Sequence, residues 1–119
     1  MVKTKIKPIL PSLREKKRYL VFEVISKNKF TFNHVSHVLW NAMFNFLGQL
    51  GMSKAGVILL ENKWSDELQK GILKVNHKNV DNVKASLMLA TKINDEDVIV
   101  RSLGVSGILK KAENNYLKN

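Results

Sequence analysis

Seven consecutive residues, Tyr19-Leu-Val-Phe-Glu-Val-Ile25, constrain this chain more than any other segment. They are β-branched, aromatic or aliphatic around a single acid, which is strand chemistry. Period-two alternation puts Leu20, Phe22 and Val24 on one face and Tyr19, Val21, Glu23 and Ile25 on the other. Both faces are mostly apolar. A strand of that kind belongs in the middle of a sheet, at least partly covered on both sides. The rest of the chain must therefore supply two covers.

The first cover is a helix that Thr31 or Asn33 can cap, running to about Leu50, with Gly48 and Gly51 as stop signals. Val35, Val38, Leu39, Ala42, Met43, Phe46 and Leu50 form its expected core stripe. Trp40, Phe44 and Leu47 widen the apolar arc past what one sheet face can cover, so either another part of this chain packs there or a protein partner does. Ala55 to Glu61 reads as a second strand, Trp64 to Gln69 as a connector and Gly71 to Asn76 as a third strand. Asn79 to Ala90 reads as a second helix, with Val80, Val83, Leu87 and Ala90 on one face. Asn94 to Asp97 is a turn, and Val98 to Leu103 a fourth strand. Gly104 to Gly107 then turns into a last helix capped by Ser106 and ending near Leu117. The order β-α-β-β-α-β plus a helix is that of a ferredoxin-like or RRM-like α+β fold, one antiparallel sheet with two helices on one face. The terminal helix is the candidate cover for the opposite face.

At 119 residues there is room for one such domain, 19–119, preceded by a basic, proline-punctuated arm, 1–18. The absence of cysteine excludes disulfides, thiolate zinc sites and a cysteine nucleophile. Twenty Lys and Arg against ten Asp and Glu give a net charge of +10, which points to nucleic acid or another anionic surface as partner. The basic N-terminus has no apolar run behind it, so no secretory signal is expected. Phe30 to Ser53 carries no charged residue, but Asn33, His34, His37, Asn41, Asn45 and Gln49 draw a polar stripe that lipid would not tolerate. A soluble, intracellular and cytoplasmic protein without a membrane segment is the expectation.

No pattern of residues supports catalysis in this chain. His34 and His37 lack the further ligands zinc needs, and His77 stands alone. Asp95, Glu96 and Asp97 read as a solvated turn rather than a cation site. There is no nucleophile elbow, P-loop or dinucleotide fingerprint. The third strand begins Lys70-Gly71, as the basic-Gly-aromatic signature of RNA-recognition modules does, but aliphatic residues stand where base-stacking rings should be. Bound RNA would then be held by phosphate contacts rather than by reading bases. Two places suit phosphate. One is Arg14, Lys16, Lys17 and Arg18, four cations in five residues. The other is the Ser106-Gly107 corner with Lys110 and Lys111 one turn on.

Three stretches carry a family resemblance. Leu10-Pro-Ser-Leu-Arg-Glu-Lys-Lys-Arg-Tyr-Leu-Val-Phe-Glu-Val24 resembles the opening of the archaeal ribonuclease P protein component 2 family, Gly71 to Leu87 its middle, and Leu103-Gly-Val-Ser-Gly-Ile-Leu-Lys-Lys-Ala112 its close. That resemblance implies a protein subunit of the ribonucleoprotein endonuclease that removes the 5′ leader from precursor tRNA. It implies that the RNA is the catalyst, with Mg2+ entering with the RNA. It further implies pairing with the component 3 family, often as a two-plus-two assembly with self-association, and an RRM-like fold whose usual RNA-binding sheet face is obstructed. Arg14, Lys16, Lys17, Arg18, Ser106, Gly107, Lys110 and Lys111 are then the matched RNA-facing candidates, and Trp40, Phe44 and Leu47 the candidate partner surface. Ile108 departs from the smaller or polar residue expected there. The alternative reading is a ferredoxin-like protein-interaction module with no specific RNA role.

Overall fold

The computed structural model describes residues 16–117. In chain order the elements are β1 (Lys17–Ile25), α1 (Phe32–Ala55), β2 (Ile58–Leu59), β3 (Lys70–Asn76), α2 (Val80–Leu87), β4 (Lys92–Ile93), β5 (Glu96–Asp97), β6 (Ile99–Ser106) and α3 (Leu109–Ala112). A π-helical stretch, Glu113–Leu117, prolongs α3. The result is a mixed α/β structure with one four-stranded antiparallel sheet, ordered β2-β3-β1-β6, and three helices.

The doubly apolar segment does run through the middle of the sheet. β1 pairs with β3 on one side and β6 on the other, with Leu20, Val21 and Phe22 all but inaccessible. Alternation sends its two faces into different cores. Leu20, Phe22 and Val24, joined by Leu73, Val75 and Val100 of the neighbouring strands, meet Val35, Leu39, Ala42 and Met43 of α1 and Val83 and Leu87 of α2. Val21 and Ile72 face the other way, where Ala112 of α3 is buried against them with Leu103, Leu109 and Tyr116 around it. The terminal helix is thus the second cover. Two residues fit it tightly. A Cβ placed on Gly104 would fall inside the ring of Tyr116, so only glycine at that point of β6 lets the ring lie on the strand. Lys63 Nζ and Glu113 Oε2, 3.0 Å apart, tie the same segment to the connector after β2.

Helix α1 differs from expectation. Gly48 does leave helical geometry, at φ 76° and ψ 175°, but the helix resumes beyond it and ends only at Ala55. Gly56, left-handed at φ 58°, closes it by returning its amide to the Met52 carbonyl at 3.2 Å. The resumption is explained by burial: Met52 and Ala55 reach the core after the kink. Two expected core residues, Phe46 before the kink and Leu50 after it, are instead 50% and 69% exposed. The second strand shrinks accordingly to Ile58–Leu59, since Ala55 belongs to α1.

The acidic turn is the tip of a small hairpin. β4 and β5 pair antiparallel, with Asn94 and Asp95 both at positive φ between them, the backbone of a type I′ turn. Ile93 of that hairpin is fully buried against the main core. Lys92 Nζ donates to Asp97 Oδ1 at 2.8 Å, a hydrogen bond that holds the Asp97 carboxyl below its ordinary range.

The connector holds a clamp that sequence spacing does not reveal. Gln69, at positive φ, is 8% exposed and faces the backbone of Phe30 like a paired strand residue. Phe30 N donates to Gln69 Oε1 at 2.9 Å, and Gln69 Nε2 donates to the Phe30 and Asp66 carbonyls at 3.1 and 2.8 Å. The Gln69 carbonyl also accepts from Val24 N. Side chain and backbone of one residue therefore fix the approach to α1 against the far end of β1.

Candidate nucleic-acid interface

The antiparallel register gathers distant cations at one end of the sheet. Lys17 is opposite Asn76, and Tyr19 is opposite both Lys74 and Ser106. The start of β1, the end of β3 and the end of β6 therefore meet. His77 N donates to the Lys16 carbonyl at 2.8 Å, which brings Lys78 alongside. Asn79 Nδ2 reaches the Lys54 carbonyl at 3.5 Å, adding the last turn of α1. Lys110 and Lys111, both exposed on α3, follow directly after the β6 corner. Lys16, Lys17, Arg18, Lys54, Lys78, Lys110 and Lys111 thus belong to one pole. The ion pairs among the described residues, Lys63–Glu113, Lys92–Asp97 and Arg101–Glu23, employ none of them. Unneutralised cations at such spacing create a positive field suited to a polyanion.

The two stretches singled out by sequence come together here. A Cβ on Gly107 would lie 3.5 Å from Arg18 Nη1, so the guanidinium rests beside the bare glycine backbone. Arg18 Nη1 also donates to its neighbour's carbonyl, Lys17 O, at 3.0 Å, which orients the fork. Lys17 has a different post: its Nζ lies 3.1 Å from where a Cβ on Gly56 would sit, at the C-terminus of α1. A cation there complements the carbonyl end of the helix. Arg14 lies outside the described residues.

Ser106 is not the helix cap that its position predicts. It ends β6, donates from Oγ to the Ile108 carbonyl and accepts from Ile108 N, both at 3.1 Å. The N-cap is Ile108, extended and without a side-chain cap bond, and α3 is only four residues long. The corner is a serine turn, and its contribution to anion binding is the exposed Gly107 backbone and the two lysines rather than a helix dipole.

The sheet face on which an RNA-recognition module would stack bases is occupied by α3 and Tyr116. Among the described residues no group of three or more His, Asp or Glu side chains could hold a metal ion. His34 Nδ1 is 3.3 Å from Thr31 Oγ1, and His37 Nε2 is 3.3 Å from Asn41 Nδ2. No helix of the described residues is long and apolar enough to cross a membrane.

On the opposite side of α1, Trp40 and Phe44 are 42% and 43% exposed, whereas Leu47 is partly buried and packs onto the core. The apolar arc is thus covered at Leu47 and open at the two rings. Trp40, Asn33, Ser36 and His37 line a groove against Leu59, beside the outer edge of β2. Lys54 and Lys78 were not legible as partners of the basic arm from local spacing; the Lys17–Asn76 register, the His77 amide on the Lys16 carbonyl and Asn79 on the Lys54 carbonyl bring them in.

A cationic, mixed α/β scaffold of this architecture matches a known family model, that of the Rpp14/Pop5 family, over residues 18–117. The chain belongs to that family. More particularly, it is 39% identical over 111 residues to ribonuclease P protein component 2 of Pyrococcus furiosus, covering 93% of this chain and 91% of the relative. It is 36% identical over 113 residues to the protein of the same name from Pyrococcus abyssi, covering 95% and 94%. With that of Methanocaldococcus jannaschii it shares 35% identity over 112 residues, covering 94% and 81%. A chain in a cryo-EM structure of yeast ribonuclease MRP has the same fold, with a TM-score of 0.63 and 16% identity over 79% of this chain and 76% of that one.

Proposed function

We propose that this chain is a protein subunit of ribonuclease P, supporting the RNA that removes the 5′ leader from precursor tRNA. Its family membership and its likeness to proteins named ribonuclease P protein component 2 support that role. The observation that carries the mechanism is the meeting of Arg18 with Gly107 at the cationic pole. Cations from β1, α1 and α3 neutralise phosphates there, and α3 with Tyr116 covers the sheet face on which bases would stack. Phosphate neutralisation lets folded RNA and its Mg2+ reach the working geometry at lower magnesium. In this reading the chemistry belongs to the RNA, and among the described residues no group of three or more His, Asp or Glu side chains could hold a metal ion.

The ferredoxin-like, RRM-like reading of the fold is supported by the sheet order and by the packing of α1 and α2 on one face. The protein partner in this reading is the component 3 family, docked on Trp40 and Phe44, with precursor tRNA contacted through the complex, self-association of this chain, and a cytoplasmic place of work. The test is reconstitution. Precursor tRNA cleavage by the cognate RNA is measured at limiting magnesium with and without this chain and its partner. Stimulation that fails when Arg18, Lys110 and Lys111 become Ala, with the fold intact, supports the reading. Equal, weak affinity for the cognate RNA and for random RNA, with no stimulation, sinks it.

A further inference from the structure

Ile108 is out of character with its position. It is the N-cap of α3, extended at φ −124° and ψ 123°, and it is 53% exposed. Serine, threonine, asparagine and aspartate favour an N-cap, and branched aliphatic residues are among the least favoured there. The turn does not call for an isoleucine either. Ser106 Oγ accepts from Ile108 N and donates to the Ile108 carbonyl, which also accepts from Ala112 N at 3.1 Å. The backbone groups of residue 108 are thus satisfied without any help from its side chain. Leu109, the next residue, packs into the second core with Ala112 and Tyr116, whereas Ile108 leaves more than half its surface to solvent.

The groups around this apolar side chain are cations. Gly107, just before it, has the Arg18 guanidinium beside its bare backbone, and Lys110 and Lys111 follow on α3, both exposed. None of the three enters the ion pairs of the described residues. With only four residues, α3 adds no helix dipole of consequence, so the corner acts through its side chains. A row of phosphates satisfies the cations and gains nothing from a sec-butyl group. A nucleotide whose base has left its stack offers both parts, phosphates to the cations and a base face to the isoleucine.

We propose that Ile108 packs against an unpaired nucleobase of the bound RNA while Lys110 and Lys111 hold the phosphates that flank it, an inference that rests on the reading of this pole as an RNA site. The contact separates unpaired from paired RNA, not one base from another, because every base has a face to offer. In a continuous helix the base faces are stacked away, and the pole then meets backbone alone. The cationic pole therefore seeks a bulge, loop or helix end rather than the middle of a stem.

The test measures binding of the full chain to a short RNA hairpin with a fully paired stem and to the same hairpin with one unpaired adenosine in the stem. Wild type, Ile108→Ser and Ile108→Leu are compared across a salt series. Wild type should favour the unpaired nucleotide by about five-fold or more, the low end of what one stacked base is worth. Ile108→Ser should lose that preference and Ile108→Leu keep it, with one slope of log affinity against log salt for all three, because no charge changes. Ile108→Ser should also melt no lower than wild type, since serine suits an N-cap. Equal binding of the two hairpins by wild type overturns the proposal and leaves phosphate binding in place, and so does a preference that survives in Ile108→Ser. A salt slope and a melting temperature that fall together in Ile108→Ser overturn it in favour of a structural role. Weaker binding of the component 3 protein by Ile108→Ser, with both hairpins bound as by wild type, overturns it in favour of a protein contact. Salt-dependent binding of neither hairpin sinks the RNA reading of the pole, and the proposal with it.

Discussion

The guanidinium of Arg18 lies beside the backbone of Gly107, 3.5 Å from where a side chain would begin. Residues 89 positions apart, by subtraction of their numbers, thus form one surface. A Cβ at that distance is ordinary contact, so Gly107→Ala should fold and bind much as wild type. Gly107→Asp sets a carboxylate against the guanidinium and should weaken RNA binding. Arg18→Ala should lower the slope of log affinity against log salt by about 0.7–0.9 if it makes one phosphate contact. Filter binding across a salt series reads both, with thermal melts confirming an unchanged fold.

Lys17 and Lys16 are neighbours with different expected phenotypes. The Lys17 ammonium sits at the C-terminus of α1, so Lys17→Ala should cost about 0.3–1 kcal/mol in urea unfolding. Lys16 is exposed, and Lys16→Ala should leave stability within about 0.5 kcal/mol. Equal stability losses would assign Lys17 to solvent.

Gln69→Ala removes three hydrogen bonds made by one buried side chain and leaves both backbone groups of Phe30 without them. A loss of roughly 2–4 kcal/mol is expected, since each unsatisfied buried group costs on the order of 1–3 kcal/mol. Denaturant midpoints measure it, and a loss under about 0.5 kcal/mol would show that the clamp is not stabilising.

Gly104→Ala cannot coexist with the placement of Tyr116, because the new methyl would occupy the ring. The expected cost is about 1–3 kcal/mol. The double variant Gly104→Ala with Tyr116→Ser should lose less than the sum of the two single changes. Additivity within about 0.5 kcal/mol would show the two positions to be uncoupled.

Trp40→Ser and Phe44→Ser concern the open part of α1. Both rings are over 40% exposed, so stability should change by less than about 1 kcal/mol, while binding of the partner protein should fall by about 2 kcal/mol or more if the rings anchor it. Calorimetric titration with the component 3 protein decides between those outcomes.

Much of the fold is legible in the sequence alone. The two-faced apolarity of residues 19–25 demanded a central strand and two covers, and both exist, because alternation of side chains along a strand is a local property. The terminal helix expected after Gly107 was likewise the candidate for the second cover, and it is that cover. What escaped was decided by tertiary context. Gly48 breaks helical geometry as glycine should, but Met52 and Ala55 find burial beyond the break, so the helix resumes. Asn94 and Asp95 adopt the turn that asparagine and aspartate tolerate, and whether two-residue strands flank it depends on Ile93 finding the core. Ser106 looked like a cap because serine often is one, yet β6 extends to include it. At the basic pole, Lys16 to Arg18 and Lys110 to Lys111 were legible as local charge runs. Lys54 and Lys78 were not, since strand register and the contacts of His77 and Asn79 bring them to the same end.

That register has a thermodynamic corollary. The basic pole is assembled from chain near residues 17, 54, 77 and 110, and the unfolded polymer scatters these cations along its contour. A polyanion that favours the assembled arrangement therefore acts as a fastener for the whole domain. At a free concentration one hundred times its dissociation constant it would add about 2.7 kcal/mol to unfolding. Melting temperature measured against RNA concentration, rather than any single contact, then reports how completely the pole is engaged.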